Sequence, residues 1–201
     1  MQWRWSWADA CASYLEETVA RAAYCASAPR LTHIDTAFEE VDGETEQMLY
    51  VSARELNAVI KVRRRDGAIV WMLGGEYSDF SLRASEGAAF RGQWAATKLE
   101  GDALLVFDNG VDTAADDDET DFVRASRFAT VSFDEASGEA RVSWSFDTAM
   151  HTKLFGSATR LPTGNVLGAA WPRSVLAPAA GRAAMLSDAK YDAVLYEAHP
   201  S

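Results

Sequence analysis

The chain has 201 residues, with 19 Lys+Arg against 30 Asp+Glu and a formal net charge of −11. Apolar residues make up 48% and charged residues 24%, which is globular composition and excludes wholesale disorder. The negative balance argues against a phosphate-tracking nucleic-acid binder and against docking on anionic membranes. No stretch approaches the roughly 18 uninterrupted apolar residues of a membrane span.

Residues Met1–Trp7 hold Arg4 and three Trp but no apolar run of the signal-peptide kind, so the compartment is left open. Trp7–Ala26 is rich in Ala, holds Leu15, Glu16 and Glu17, and has no Gly or Pro. Cys11, Leu15, Val19 and Ala22 fall at helical spacing, and a helix is expected there, ended by Ser27–Pro29. On one continuous helix Cys11 and Cys25 lie roughly 21 Å apart and cannot bond. They are expected as two free, small apolar residues.

After Pro29 the texture changes to short β-branched and aromatic runs separated by Gly, Asp and Asn. Gln47–Ala53, Asn57–Val62 and Ala68–Leu73 read as strands, with Asp66-Gly67 as a hairpin signal between the last two. Leu104–Phe107, Arg127–Phe133, Ala140–Phe146, Ala158–Leu161 and Val166–Ala170 follow in the same style, and Pro162-Thr163-Gly164-Asn165 reads as a hairpin connector.

Internal repeats organise these runs. Ala58–Leu73, Ala129–Phe146 and Ala183–Ala198 each read strand, acidic turn, strand. Upstream of each lies another strand pair: Leu31–Phe38 with Gln47–Ala53, Gly92–Leu99 with Ala103–Asp108, and Phe155–Leu161 with Asn165–Ala170. Four antiparallel strands per repeat is the blade of a β-propeller. The expected fold is all-β: a partial β-propeller of about three four-stranded blades, behind a short N-terminal helix. The helical leader covers 1–29 and the propeller domain 30–201, with blades about 31–75, 90–147 and 154–198. A two-sheet sandwich is the alternative. Three blades do not close a ring unaided, so self-association or a cover over the open edges, such as the helix, is expected.

In a propeller the first strand of each blade lines the central channel. Aligning the three first strands puts His33, Trp94 and Gly156 at equivalent places. Asp108-Asn109-Gly110 reads first as a turn. Asp112, Asp116, Asp117, Asp118, Glu119 and Asp121 lack the spacing of an EF-hand and read as a solvated loop. Arg63-Arg64-Arg65 beside Asp66 reads as a surface turn. His151 and His199 have no partners at metal spacing, and no nucleotide-binding motif is present, so no metal or cofactor is assigned.

Six motifs in order carry a resemblance. They are Leu31-Thr32-His33-Ile34-Asp35-Thr36, Ser52-Ala53-Arg54, Trp71-Met72-Leu73-Gly74-Gly75, Gln93-Trp94, Val106-Phe107-Asp108-Asn109-Gly110 and Ser126-Arg127-Phe128. The stretch from about 31 to 170 resembles the arylsulfotransferase family, whose pattern runs W-x-H-x-N-S, S-x-R, W-x-L-G-G, Q-H, L-F-D-N-G and S-R-F/Y. That resemblance implies a six-bladed propeller, of which this chain is about half. It implies sulfuryl transfer from a phenolic sulfate ester to a phenol through a histidine, without a nucleotide donor. Members commonly work outside the cytoplasm.

By position, the resemblance makes His33 and Arg54 sulfuryl-binding candidates, and Gln93, Asp35 and Arg127 ligand-binding candidates. The nucleophilic histidine belongs after Gln93, where this chain has Trp94. An indole is a hydrogen-bond donor with no basic lone pair, so it forms no sulfo-enzyme. The expectation is an arylsulfotransferase-like protein that is inactive or a fragment, with an aryl sulfate or a phenol as its small-molecule partner. A non-catalytic propeller module that binds a ligand or a protein is the alternative.

Overall fold

The computed structural model describes residues 3–15, 24–25, 34–42, 46–82, 90–111, 124–171 and 194–200, with 34–42 and 46 described by their backbone alone. Helix α1 spans Trp7–Tyr14. Strands β1 (Ile34–Asp42), β2 (Glu46–Ala53), β3 (Ala58–Arg63) and β4 (Ile69–Gly74) form an antiparallel sheet in chain order. The second sheet holds β6 (Trp94–Leu99), β7 (Ala103–Asp108), β8 (Arg127–Asp134) and β9 (Glu139–Asp147), again in chain order. A two-residue strand, β5 (Ser81–Leu82), adds to its edge parallel to β9. The third sheet holds β10 (Ser157–Arg160), β11 (Val166–Ala170) and β12 (Val194–Ala198). The fold is all-β with one short helix, and its three separate sheets are consistent with a partial propeller.

The turns obey their residues. Gly67 (φ 74°) turns the β3–β4 hairpin and Gly164 (φ 88°) turns β10 into β11. The arginine run Arg63–Arg65 sits in the first of these turns, with Arg63 donating to Asp66 at 3.1 Å.

Two expectations are corrected here. In the third sheet β12 pairs directly with β11, where the hairpin read over Ala183–Ala198 put another strand between them. Residues 172–193 lie outside the described residues. Nor do Trp7–Ala26 form one continuous helix with free thiols. Helix α1 ends at Tyr14, and Cys11 and Cys25 form a disulfide across a Cα–Cα distance of 5.6 Å.

The three sheets stack face on face, and each strand's alternation sorts its side chains between two neighbours. Met48, Tyr50, Val59, Trp71 and Leu73 of the first sheet meet Leu104, Val106, Ala129, Val131 and Phe133 of the second. Trp71 is the hub, with its ring 5.6 Å from Tyr50, 5.3 Å from Phe80 and 5.2 Å from Phe133. Lys61 is buried on this same face, donating to Glu135 at 2.7 Å with its ammonium 5.8 Å from the Tyr50 ring. The pair pins the β8–β9 turn onto the first sheet.

The other face of the second sheet meets the third. Leu105, Phe107 and Phe128 pack with Ala158, Val166 and Ala170. Gly168 is required there, since a Cβ would lie 2.2 Å from the Phe128 ring. Helix α1 covers the outer face of the first sheet, not a strand edge. Trp7, Cys11 and Leu15 recur at every fourth position and pack on Val51, Ile60, Val62, Ile69 and Met72. The segment ahead of the helix grips the β3–β4 turn, with the Trp3 indole donating to Arg64 O at 2.8 Å and the Trp5 indole to Gly67 O at 2.9 Å.

Two tyrosines of this cap titrate high. Burial first, then the hydrogen bond to the Asp79 carboxylate, raises Tyr14 well above its ordinary value of 10.0. Burial, and then the charge of Glu76, pushes Tyr24 up to about 12. Each group therefore holds its proton more tightly folded than unfolded, so its contribution is complete below pH 10 and is lost above it. Stability is expected to be flat up to about pH 10 and to fall between about pH 10 and pH 12. Tyrosinate absorbance and circular dichroism followed together over that range check it.

Candidate functional site

The polar end of the stack is assembled by the segment 152–155. The 3-10 turn Arg54–Leu56 follows β2, and Arg54 Nη2 donates to Lys153 O at 2.7 Å. From the second sheet, Asn109 donates its amide to Thr152 O and, at 3.0 Å, to Phe155 O. Ser126 Oγ accepts from Thr152 N at 2.8 Å. The Trp94 and Phe155 rings meet edge to face at 5.2 Å, and Trp171 joins them with its ring 6.3 Å from Phe155. One short segment thus brings elements of all three sheets together. Strand β6 itself lies beside both β1 and β10.

The backbone is irregular at the same end. The pairing of β1 with β2 slips between Ile34 and Thr36, at Asp35, and that of β6 with β7 slips between Trp94 and Thr97. Ala95 (φ 53°) and Phe155 (φ 64°) occupy the left-handed region. A bulge re-aims the side chains beside it and is over-represented next to active sites. Left-handed backbone on an Ala or a Phe costs of order 1–3 kcal/mol and persists where surrounding contacts enforce it.

Arg54 is buried, and its guanidinium is ion-paired with Glu55, the next residue along. Gln93 is fully buried and spends its amide on Ser52 Oγ (3.2 Å) and Ala58 O (3.0 Å). Arg127 donates to Asp108 Oδ2 at 2.9 Å. Asp108 is fully buried. It accepts as well from Arg124 and from the backbone N–H groups of Arg91 and Gly110. The turn read at 108–110 is therefore also an ion-pair hub, which the sequence reading did not anticipate.

Arg54 Nε, Gln93 Oε1, Asn109 Oδ1 and Thr152 Oγ1 are buried without a hydrogen-bond partner among the described residues. Buried polar atoms are ordinarily paired. Four such atoms at the end where the strand bulges lie mark it as the candidate site. Asn109, Thr152, Phe155 and Trp171 were missed by sequence reasoning. The legible signal was Phe155-Gly156, an aromatic residue ahead of a glycine at the start of a first strand.

His33 lies outside the described residues, and Asp35 is described by its backbone alone within β1. The acidic run at 112–121 lies outside them too. No group of three or more His, Cys, Asp or Glu that could hold a metal ion occurs among the described residues.

The family pattern described as Arylsulfotransferase (ASST) matches residues 39–170. The chain belongs to the arylsulfotransferase family. The matched stretch is about two thirds of the chain and contains Arg54, Gln93, Trp94 and Arg127, whereas His33 and Asp35 precede it. No curated protein matches the chain. Within the arylsulfotransferase match, the first two sheets and the first two strands of the third are almost entirely included. No described helix is long and apolar enough to cross a membrane.

Proposed function

We propose that this arylsulfotransferase-family chain binds an aryl sulfate or a phenol without passing the sulfuryl group through a covalent enzyme intermediate. The observation that carries this reading is Trp94, which stands after Gln93 where the family pattern has its histidine. A histidine there attacks sulfur through a neutral ring nitrogen, the S–O bond to the aryl group breaks to release the phenol, and the ring carries the sulfuryl group to the acceptor. The indole nitrogen has no lone pair to offer. Arg54 supports the same reading. An anion clamp needs cationic charge free to face the oxyanion, and here Glu55 already neutralises the guanidinium.

What remains at the site suits recognition. The edge of one aromatic ring set against the face of another contributes about 0.5–1.5 kcal/mol beyond burial, and Trp94, Phe155 and Trp171 supply three such rings. The unpartnered Arg54 Nε donor offers one polar contact to an ester or hydroxyl oxygen.

Titration with phenyl sulfate and with phenol, read by tryptophan fluorescence, tests the reading. Saturable quenching is expected, weakened about tenfold or more in Trp94→Ala. Phenol released catalytically by the unaltered protein would overturn it.

A further inference from the structure

Two side-chain amides at the candidate site are turned the same way. Asn109 directs its Nδ2 at two carbonyls, Thr152 O and Phe155 O, and Gln93 directs its Nε2 at Ala58 O and Ser52 Oγ. A carbonyl oxygen only accepts, so each amide is fixed with its nitrogen bonded and its oxygen left over. Gln93 Oε1 and Asn109 Oδ1 are buried with no partner among the described residues, and so is Thr152 Oγ1. All three residues are fully buried. They surround one segment. Asn109 holds Thr152 and Phe155, and Gln93 precedes Trp94, whose ring lies 5.2 Å from that of Phe155.

We propose that these unpaired oxygens make the site selective for a neutral aromatic hydroxyl, a phenol, over the sulfate ester of the same ring. The selectivity rests on the aromatic binding proposed for this site and adds its chemical preference. A buried acceptor left without a donor costs more than an ordinary hydrogen bond contributes, so a ligand that brings a donor gains most there. A phenol O–H donates to an amide oxygen, and its own oxygen still accepts from Arg54 Nε or the Thr152 hydroxyl.

A sulfate monoester is negatively charged and only accepts. Its oxygens would face the lone pairs of Gln93 and Asn109, in a chain of net charge −11. The arginines of this end are already engaged, Arg54 by Glu55, and Arg124 and Arg127 by Asp108. Like facing like is how a site rejects one of two ligands that share a ring.

Fluorescence titration of the full chain with phenol, fluorobenzene and phenyl sulfate tests the selectivity. Fluorobenzene keeps the ring and a substituent of similar size and lacks the donor. Phenol is expected to bind about tenfold more tightly than either. Thr152→Val locates the preference. It deletes a hydroxyl that has no partner among the described residues, while the Thr152 N–H and C=O, bonded to Ser126 and Asn109, stay. Its urea midpoint is expected to hold or rise, and the preference for phenol over fluorobenzene to shrink about threefold or more. Fluorobenzene or phenyl sulfate bound as tightly as phenol overturns the selectivity and leaves aromatic binding standing. A preference undiminished in Thr152→Val, or a lowered midpoint, overturns its assignment to these atoms. A chain that binds none of the three removes aromatic binding itself, and the selectivity with it.

Discussion

Asp108→Ala is expected to lower folding stability by about 3–5 kcal/mol, the largest effect of any single substitution considered. The carboxylate is fully buried and accepts from Arg124 and Arg127 and from two backbone N–H groups. Deleting it takes the shared acceptor from two guanidiniums and from the Arg91 amide at once, while the Gly110 amide keeps Arg91 O at 3.0 Å. Arg124 and Arg127 keep 27% and 17% of their side-chain surface in water, which relieves part of that penalty and favours the lower half of the range. Asp108→Asn separates the two roles. Its carbonyl still accepts from the Arg91 and Gly110 amides, but its amide group faces the arginines donor to donor. An intermediate loss is expected, and urea denaturation of the three proteins measures it. An unchanged midpoint in Asp108→Ala would show that water takes over the arginines without cost.

The second large effect is in the cap. Replacing both Cys11 and Cys25 by Ser is expected to cost about 2–4 kcal/mol, since closing a loop of roughly 15 residues constrains the unfolded chain by about 3 kcal/mol. An eight-residue helix is too short to persist alone in water. Without the disulfide, α1 depends on the contacts of Trp7, Leu15 and the tyrosines with the first sheet and on the Trp3 and Trp5 hydrogen bonds to the β3–β4 turn. The loss should therefore be local, with faster hydrogen exchange at Ile60, Val62 and Met72 than at Val106 or Val131. Thiol titration of the unreduced, denatured chain should find no free thiol, and finding two would refute the pairing. A disulfide of this kind persists in an oxidising compartment.

Most of the strands were legible because their chemistry is local. Runs such as Leu104–Phe107 are buried on both faces, and Gly67 and Gly164 sit where left-handed backbone is needed. What failed was non-local. The 14-residue spacing of the cysteines suits a helix face, and nothing in sequence shows that α1 stops at Tyr14. Strand β5 has two residues and no pattern to detect. The place of β12 was misjudged because strand order within a sheet is a matter of pairing, to which periodicity is blind. At the site, the motif order led to Arg54, Gln93, Trp94 and Arg127. Their partners, Glu55, Ser52, Phe155 and Asp108, emerged from three dimensions alone. Asn109 passed as a turn residue because Asn tolerates turn backbone, and its bonds reach 43 and 46 residues along the chain.

The central claim is that Trp94 removes the covalent step while the surrounding site still binds. Intact-protein mass spectrometry after incubation with phenyl sulfate tests it most directly. The unaltered chain is expected to keep its mass, with no sulfuryl group added at any incubation time. A sulfuryl adduct on the unaltered chain, mapped to any residue of the site, would contradict the account.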